Sequence, residues 1–215
     1  MSPPAIPSSA PAGPSWNTYK QSIGDRSSLF RALVESWPVT SALYLGSYLD
    51  LSPSAAIESV TYVDTDRRAA RFFANRELVM SELNESTPLQ ASHDVAFLLE
   101  DFTAPLSAPD ASFDLVIALY TGPAWDHCLR YLKPGGLFLA NSSHGDASLA
   151  ALDPRTSLVG AIHYRGGRYT IERDHLDGYL IPTKPKKAEA HLIRSSGRGI
   201  GYTKSAFAYL FEVSS

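Results

Sequence analysis

The chain has 215 residues, a formal net charge of −3, 44% hydrophobic residues and 19% charged residues. This balance is ordinary for a single globular domain with a sizeable core, and the charge gives the whole molecule no general attraction to nucleic acid or acidic lipid. The single cysteine, Cys128, excludes an intramolecular disulfide and a multi-cysteine zinc site, as expected in a reducing compartment.

Residues 1–15 read MSPPAIPSSAPAGPS, with five prolines and no charged residue. We predict a disordered arm here, because the prolines interrupt the apolar run that a secretory signal needs. The sequence has no run of about eighteen apolar residues, so we expect no membrane span. We therefore predict a cytoplasmic protein with one domain over residues 16–215.

Downstream of the arm, helix-like and strand-like segments alternate. Over residues 24–37 the apolar spacing predicts a helix, with Asp25 as a candidate N-cap and Pro38 after its end. Five apolar strands and two intervening helices follow: strands 41–46, 59–64, 94–102, 112–121 and 137–143, and helices 66–79 and 125–132. These strands show no alternation of apolar and polar residues, which is typical of strands covered on both faces. The pattern favours a parallel sheet in a doubly wound α/β fold.

The C-terminal third has a different pattern. "LVGAIHYRGGRYTIE" (158–172) predicts a hairpin that turns at Gly166 and Gly167. Short helical segments are expected at 174–180 and 185–195, followed by a closing strand within 205–213. The domain thus carries a hairpin and helical elaboration over about residues 165–200.

In open α/β sheets, ligands bind beyond the carboxyl ends of the strands. Gly46 follows the first strand, and Asp64 follows the second, eighteen residues later. A glycine with an acid at about this spacing suits a ligand that contains a nucleoside, because a carboxylate accepts hydrogen bonds from ribose hydroxyls. The same two residues are also expected where a turn glycine and an N-cap for the next helix are needed.

A third acid, Asp101, closes the third strand. It is followed by "PLSAPDASFDLVIALYTG" (105–122) and later by "LRYLKPGGLFLANS" (129–142). In these segments the chain resembles the class I S-adenosylmethionine-dependent methyltransferases, and the resemblance extends over about residues 26–150. The closing "SAFAYLFEV" fits the family's last strand. The resemblance implies a doubly wound, mostly parallel, seven-stranded α/β sheet with an antiparallel last strand.

The resemblance also implies S-adenosylmethionine as the cofactor and methyl transfer as the activity. Gly46 would face the methionine part of the cofactor, and Asp64 would hold the ribose hydroxyls. Asp101 would accept from the adenine amino group, with Phe102 packed near the ring. Tyr120, at the end of the fourth strand, would lie beside the sulfonium. Such an enzyme aligns the nucleophile, the methyl carbon and the sulfur in line, and sometimes supplies a base.

The first loop has one glycine where the family usually has two or three. Ser47 and Tyr48, with Gly46, are the expected cofactor-binding residues of this loop. The large ring of Tyr48 either turns outward, covers the methionine end or blocks the site. Asp50 either receives the cofactor's ammonium group or caps the next turn, and we favour capping.

The segment "NSSHGDA" (141–147) follows the fifth strand. We consider His144 a candidate general base, since its ordinary pKa lies near neutrality, with Asp146 orienting it. The alternative is that Ser142 or Ser143 caps the next helix while His144 is solvated. Tyr120 is the second candidate catalytic residue. No cluster has the spacing of metal ligands, so we expect no metal.

Two further regions are candidates for ligand contacts. Tyr19 and Arg26 lie where many methyltransferases use an N-terminal helix to cover the cofactor. Residues 184–204 contain six basic residues and one acid, Glu189, and Arg165 and Arg168 of the hairpin add two more cations. These cations in the 165–204 region suit either a solvated face or contacts to phosphate.

The sequence thus predicts a methyltransferase that acts on a small molecule. An RNA methyltransferase that uses the basic 165–204 region is one alternative, and a catalytically inactive, methyltransferase-like interaction module is another, supported by Tyr48 and the missing glycines. A nicotinamide-dependent oxidoreductase fits least well. The methyl acceptor and the oligomeric state do not follow from the sequence.

Overall fold

The computed structural model describes residues 13–86 and 93–214, which form seven α-helices and eight strands. The helices are α1 (Trp16–Ile23), α2 (Ser27–Ser36), α3 (Arg67–Ala74), α4 (Arg76–Ser86), α5 (Trp125–Cys128), α6 (Asp146–Leu152) and α7 (Ala190–Ser196). The strands are β1 (Ser41–Leu45), β2 (Ser59–Val63), β3 (Asp94–Leu98), β4 (Phe113–Ala118), β5 (Leu132–Ala140), β6 (Thr156–Arg165), β7 (Arg168–Glu172) and β8 (Ala208–Val213).

All eight strands belong to one sheet, in the order β3-β2-β1-β4-β5-β8-β6-β7. Strands β1 to β5 are parallel to their neighbours, and β8 pairs antiparallel with β5. The predicted α/β architecture and the antiparallel last strand are confirmed. The predicted count of seven strands is wrong, because both arms of the hairpin join the sheet and β7 forms an additional antiparallel edge.

Both faces of the sheet are buried at its centre, along β1 and β4, as the uninterrupted apolar strands predict, whereas the edge strands β3 and β7 are partly exposed. Along β1, Ala42 and Tyr44 pack into one core cluster, whereas Leu43 and Leu45 pack into the other. This alternation follows from the two-residue period of a strand. It fixes the register, since a slip of one residue would exchange the two faces.

Helix α1 was not predicted as a separate element. It begins at Ser15, whose hydroxyl accepts from the backbone of Thr18 and donates to Glu82 of α4 at 2.6 Å. Trp16, the first residue of this helix, is fully buried. Ser15, the last residue of the predicted arm, is thus the N-cap of α1, and residues 1–12 of that arm lie outside the described part of the chain.

Several predicted boundaries differ from the structure. The helix expected over 66–79 breaks at Asn75 into α3 and α4, and the helix expected over 125–132 is α5 followed by a 3₁₀ turn at 129–131. Strand β5 begins at Leu132, ahead of the glycines of "KPGG", with an irregular register opposite Phe113 and Leu115. Only 3₁₀ turns form at 176–178 and 185–187, the second of them before α7.

The motif residue Asp114 ("FDLV") lies at the amino edge of the sheet, where the parallel strands begin. One carboxylate oxygen accepts from the backbone and hydroxyls of Thr40 and Ser41 at 2.9–3.0 Å, and the other accepts from Lys133 of "LKPGG" at 2.6 Å. Burial alone would raise the pKa of Asp114, but these hydrogen bonds outweigh it and hold that pKa at about 2. The two motifs thus join the starts of β1, β4 and β5.

No helix within residues 13–86 and 93–214 is both long and apolar enough to cross a membrane. Within the same ranges, no group of three or more His, Cys, Asp or Glu side chains is arranged to hold a metal ion.

Candidate functional site

A cleft of about 290 Å³ opens at the carboxyl edge of the sheet, beyond the ends of β1 to β4. Its lining consists of Gly46, Asp64, Thr65, Asp101, Phe102, Tyr120 and Thr121. The structure therefore brings together five of the residues proposed from the sequence. Thr65 and Thr121 were missed, although each directly follows a proposed strand-end residue.

The first loop keeps a glycine-like backbone with one glycine. Gly46 has φ 61°, and a Cβ atom there would lie only 1.9 Å from the hydroxyl of Thr121. Tyr48 also has a positive φ, of 45°. A left-handed conformation costs a non-glycine residue about 1–2 kcal/mol, so neighbouring contacts must hold Tyr48 in place.

Asp64 holds this loop. Its Oδ2 accepts from the backbone N–H of Tyr48 and its Oδ1 from that of Asp66, both at 2.8 Å. The N-cap of α3 is Asp66, which accepts from the backbone of Arg68, so the alternative interpretation of Asp64 as the helix cap is wrong. Each Asp64 oxygen retains a second lone pair for another donor.

The ring of Tyr48 turns away from the cleft. It packs edge-to-face on Tyr19 of α1, with ring centroids 4.9 Å apart, and the guanidinium of Arg68 lies 5.3 Å from its centroid. The ring is not part of the cleft lining, which favours the outward orientation among the three considered. Ser47 is buried and does not line the cleft either.

Asp50 belongs to a buried polar network behind the cleft. Its Oδ2 accepts from Arg26 and from the hydroxyl of Tyr44, both at 3.0 Å, and its Oδ1 accepts from the backbone of Ser52. Asp50 therefore caps the 52–55 turn, and its ion pair with Arg26 keeps it from the cleft. The Arg26 guanidinium lies 5.4 Å from the centroid of the Tyr120 ring, so Arg26 supports the wall of the cleft from behind.

Asp101 forms the exposed end of the cleft. Its Oδ1 accepts from the backbone and hydroxyl of Thr103 at 2.9 and 2.7 Å, and these bonds lower the pKa of Asp101. Within the described residues, no donor reaches its other oxygen. Beside it, Phe102 packs against the core cluster under β4 and β5. An ionised acceptor and a partly buried ring thus lie next to each other.

Tyr120 holds a strained conformation at the centre of this edge. Its φ is 61°, unusual for an aromatic residue, and 53% of its surface is exposed. Such outliers concentrate at functional sites, where the surrounding structure enforces them.

The structure does not bring His144 into the cleft. His144 is exposed and has no hydrogen-bond partner in the described part of the chain. Asp146 is 2% exposed, and its Oδ1 accepts from the backbone of Ala124 and Trp125 at 2.7 and 2.8 Å. It therefore caps the start of α5 and does not orient His144. Burial raises the pKa of Asp146 to about 6.

Three of the seven buried polar side-chain atoms that have no hydrogen-bond partner in the described part of the chain lie at this edge; the other four belong to Trp16, Arg26, Ser27 and His93. Among the described residues, the hydroxyls of Ser47 and Thr121 and the amide nitrogen of Asn141 have no hydrogen-bond partner. These residues follow β1, β4 and β5 within three positions. An unsatisfied buried group costs about 1–3 kcal/mol. Of these three residues, Thr121 lines the cleft and the other two do not, so a ligand in the cleft would bear on Thr121 alone.

The basic region of the C-terminal third separates into paired and unpaired residues. Arg194 pairs with Asp126 at 2.6 Å, and Lys204 pairs with Glu172 at 3.1 Å. The side chains of Lys184, Lys187 and Arg198 form no ion pair within the described residues, and they line a second cavity, of about 580 Å³, beside α7.

No protein-family model matches the chain, and no curated protein does. Among solved structures, it is similar to an O-methyltransferase from Bacillus cereus in complex with S-adenosylhomocysteine (SAH), with a TM-score of 0.50 and 11% identity over 89% of this chain and 81% of that one. It is also similar to a candidate O-methyltransferase from Klebsiella pneumoniae (TM-score 0.48, 12% identity, 89% and 81% covered).

A candidate S-adenosylmethionine-dependent methyltransferase from Methanococcus maripaludis has a TM-score of 0.44 and 15% identity over 58% of this chain, which spans 60% of the length of that one. At such identities a likeness shows the fold alone. The chain has the class I S-adenosylmethionine-dependent methyltransferase fold.

Proposed function

We propose that the protein transfers the methyl group of S-adenosylmethionine to a small-molecule acceptor. The observation that carries this proposal is the common cleft at the ends of four parallel strands, which Gly46, Asp64, Asp101 and Tyr120 all line. A cleft beyond the carboxyl ends of strands is where open α/β sheets bind nucleotides.

The chemistry of the cleft fits an adenosyl group. Asp64 would accept from the ribose hydroxyls through the lone pairs that the backbone leaves free. Asp101, held ionised by Thr103, would accept from the adenine amino group, with Phe102 against the ring. Both carboxylates accept hydrogen bonds, and the ribose hydroxyls and the adenine amino group donate them, so the cleft and a nucleoside are complementary.

The methionine end needs different residues from those first expected. Asp50 is occupied by Arg26 and Tyr44, so it does not receive the ammonium group in this proposal. Thr121 lines the cleft beside Gly46, and its buried hydroxyl, an acceptor, has no hydrogen-bond partner among the described residues. It would take the role first considered for Asp50.

When bound, S-adenosylmethionine supplies an electrophilic methyl group on a positively charged sulfur. Tyr120 would lie beside this group, since its exposed ring presents a π face that attracts cations. The walls would align the acceptor with the methyl group. We retain His144, which is exposed beyond β5, as a candidate base. A His144→Asn variant with lower turnover and unchanged SAH affinity would support this role.

Calorimetric titration with SAH tests the proposal. Wild type should bind, and Asp101→Asn should weaken binding about tenfold, because one good hydrogen bond to a charged group contributes about 1.5–3 kcal/mol. Asp110→Asn is the matched control, since Asp110 is an exposed acid of the same loop that pairs with Arg130 and not with the cleft. Absence of any heat at millimolar SAH would contradict the proposal and favour the inactive interaction module.

An RNA methyltransferase is the second candidate, favoured by the unpaired cations Lys184, Lys187 and Arg198 around the larger cavity. Phosphate contacts make binding steeply salt-dependent. RNA binding that weakens with salt and with Lys187→Ala would support this candidate; binding that is absent at low salt would exclude it.

A further inference from the structure

Four aromatic rings form a continuous surface beside the cleft. We define this aromatic wall as Tyr120, Tyr164, Tyr169 and Phe207. Phe207 lies at its centre, with ring centroids 6.2 Å from Tyr120, 6.4 Å from Tyr164 and 5.2 Å from Tyr169. Tyr164 and Tyr169 lie 4.6 Å apart. These distances are typical of interacting aromatic pairs.

The wall is exposed where it meets the cleft. Tyr120 and Tyr164 are 53% and 48% exposed, whereas Tyr169 is nearly buried and supports them. Single exposed apolar residues are ordinary, but here two exposed rings flank the partly buried Phe207, and such a patch of neighbouring aromatic residues is typical of a binding surface. Tyr120 lines the cleft as well, so the wall and the cleft share one side chain.

The additional hairpin creates this wall. Pairing of β6 with β8 ends at Ile162 and Ala208, but pairing of β6 with β7 continues to Arg165 and Arg168. The hairpin thus extends three residues, or roughly 10 Å, past the sheet at its carboxyl edge. Tyr164 and Tyr169 are directly opposite each other in this projecting part.

The wall is held rigidly from behind. Arg26 lies 5.4 Å from the Tyr120 ring centroid and is fixed by its buried ion pair with Asp50. The backbone of Phe207 donates to Ile162 at 2.7 Å, which ties this ring to the hairpin. Neighbouring rings of the wall are inclined to one another by 36–67°, so a flat ligand that stacks on one ring meets the next ring edge-on. Because these rings are already held in place by the fold, little conformational entropy is lost on binding.

We propose that the aromatic wall binds the methyl acceptor and that this acceptor is a planar aromatic compound, packed against the exposed ring of Tyr164 and bordered by Phe207 and Tyr120. The role of the bound compound as methyl acceptor rests on the proposed methyl transfer. The proposed binding of a planar aromatic compound to the wall does not. Stacked and edge-to-face pairs supply the selectivity for a flat ring over a saturated one.

Binding of two matched probes to the full chain tests the proposal. 4-Hydroxybenzoate and 4-hydroxycyclohexanecarboxylate carry the same charge and hydroxyl group, and they differ in the planarity of the ring. Each is titrated with and without saturating SAH, and binding is followed by calorimetry. We expect the aromatic probe to bind more tightly than its saturated counterpart.

Two variants locate the binding surface. Tyr164→Leu and Phe207→Leu keep an apolar side chain and remove the aromatic ring, so each should weaken the aromatic probe about 2- to 10-fold. Leu152→Ala is the control, since Leu152 is similarly exposed but belongs to α6, outside the wall. Thermal unfolding of each variant verifies that it is folded.

The outcomes separate the two proposals. Any of three results overturns the proposal of an aromatic acceptor. The first is no binding of 4-hydroxybenzoate at about 10 mM, the second is equal affinity for both probes, and the third is unchanged affinity for the aromatic probe in both Leu variants. If SAH binds in those cases, the proposed methyl transfer stands. If SAH does not bind but the probe keeps its preference for the wall, the methyl transfer falls and the aromatic site remains. A dimer that Tyr164→Leu dissociates, by sedimentation, would instead assign the wall to a second copy of the chain.

Discussion

The two edges of the central sheet differ in how the polar groups next to their strands are paired. At the amino edge, Asp114 is fully paired with Lys133 and with the start of β1. At the carboxyl edge, buried polar atoms of Ser47, Thr121 and Asn141 have no partner among the described residues. Pairing is not complete at the amino edge either, since the buried Nδ1 of His93, just before β3, has no partner in the described part of the chain. The comparison teaches that one carboxylate ties together three strand starts at the amino edge, whereas the cleft at the carboxyl edge is lined by Thr121 and by Tyr120 in a strained conformation.

The positions of the sequence motifs at these two edges show what the motifs predict. "FDLV" and "LKPGG", which carry the likeness in sequence, meet at the amino edge, far along the strands from the cleft. They therefore predict architecture. The proposed function depends on single residues after each strand, which are less distinctive in sequence.

The largest effect is expected at Gly46. Gly46→Ala should cost about 2–4 kcal/mol in unfolding free energy, since it combines a left-handed alanine with overpacking against Thr121. Gly197→Ala is the control, because its φ of 60° is nearly the same but no atom lies within 4 Å of the added methyl group. Chemical denaturation measures both. Equal costs would show that strain alone, and not the packing against Thr121, makes glycine necessary at position 46.

Asp114→Ala should lower the unfolding free energy by about 2 kcal/mol, because it removes the charged acceptor for Lys133, Thr40 and Ser41. The affinity for SAH should stay within about twofold of wild type, since the change is at the opposite edge. Asp101→Asn should show the reverse pattern. If Asp114→Ala weakened SAH binding as strongly as Asp101→Asn, the two edges would not be independent.

Asp114 should also contribute to acid sensitivity. Its pKa in the folded chain, about 2, is below the ordinary value of about 3.9 in an unfolded chain. The stabilisation is therefore present above about pH 4 and is lost as the pH falls toward 2. Unfolding free energy measured from pH 5 to pH 2 should decrease less steeply in Asp114→Asn than in wild type.

Asp146 should behave in the opposite way. Burial raises its pKa to about 6, so the folded chain binds more protons than the unfolded one between about pH 4 and 6, and stability is lost as the pH rises through this window. Asp146→Asn should therefore stabilise the protein by about 1 kcal/mol at pH 8 and hardly at all at pH 4. Thermal unfolding at both pH values measures this, and a loss at pH 8 would mean that the charged bonds to α5 outweigh burial.

The smallest effect is expected for Tyr48→Gly. Glycine relieves the left-handed strain but removes the ring contacts with Tyr19 and Arg68, so the unfolding free energy should change by less than about 1 kcal/mol. The backbone N–H that Asp64 accepts remains. SAH affinity should therefore change less than twofold, and a larger loss would assign a direct role to the ring.

Much of the fold was predictable because its signals are local in sequence. Uninterrupted apolar strands indicated a sheet covered on both faces, and Gly166 and Gly167 indicated the hairpin. Parallel strands bring their carboxyl ends to one edge, so the meeting of Gly46, Asp64 and Asp101 followed from topology.

The remaining features depend on contacts between distant parts of the chain. The outward turn of Tyr48 is set by Tyr19 of α1, a helix that was not foreseen because Glu82 helps to fix its start. Asp50 was expected near the cofactor or at a cap, but its ion-pair partner is Arg26, twenty-four residues earlier. Sequence spacing gives no means to choose between such partners.

Cys128, the one cysteine of the chain, is 1% exposed at the end of α5, and burial raises the pKa of its thiol. A thiolate is the reactive form, so a thiol reagent can modify this side chain only when the surrounding structure opens. The rate of labelling therefore reports local opening beside Asp146 without any engineered probe. Slower labelling in the presence of SAH would reveal ligand-induced protection of this edge of the sheet.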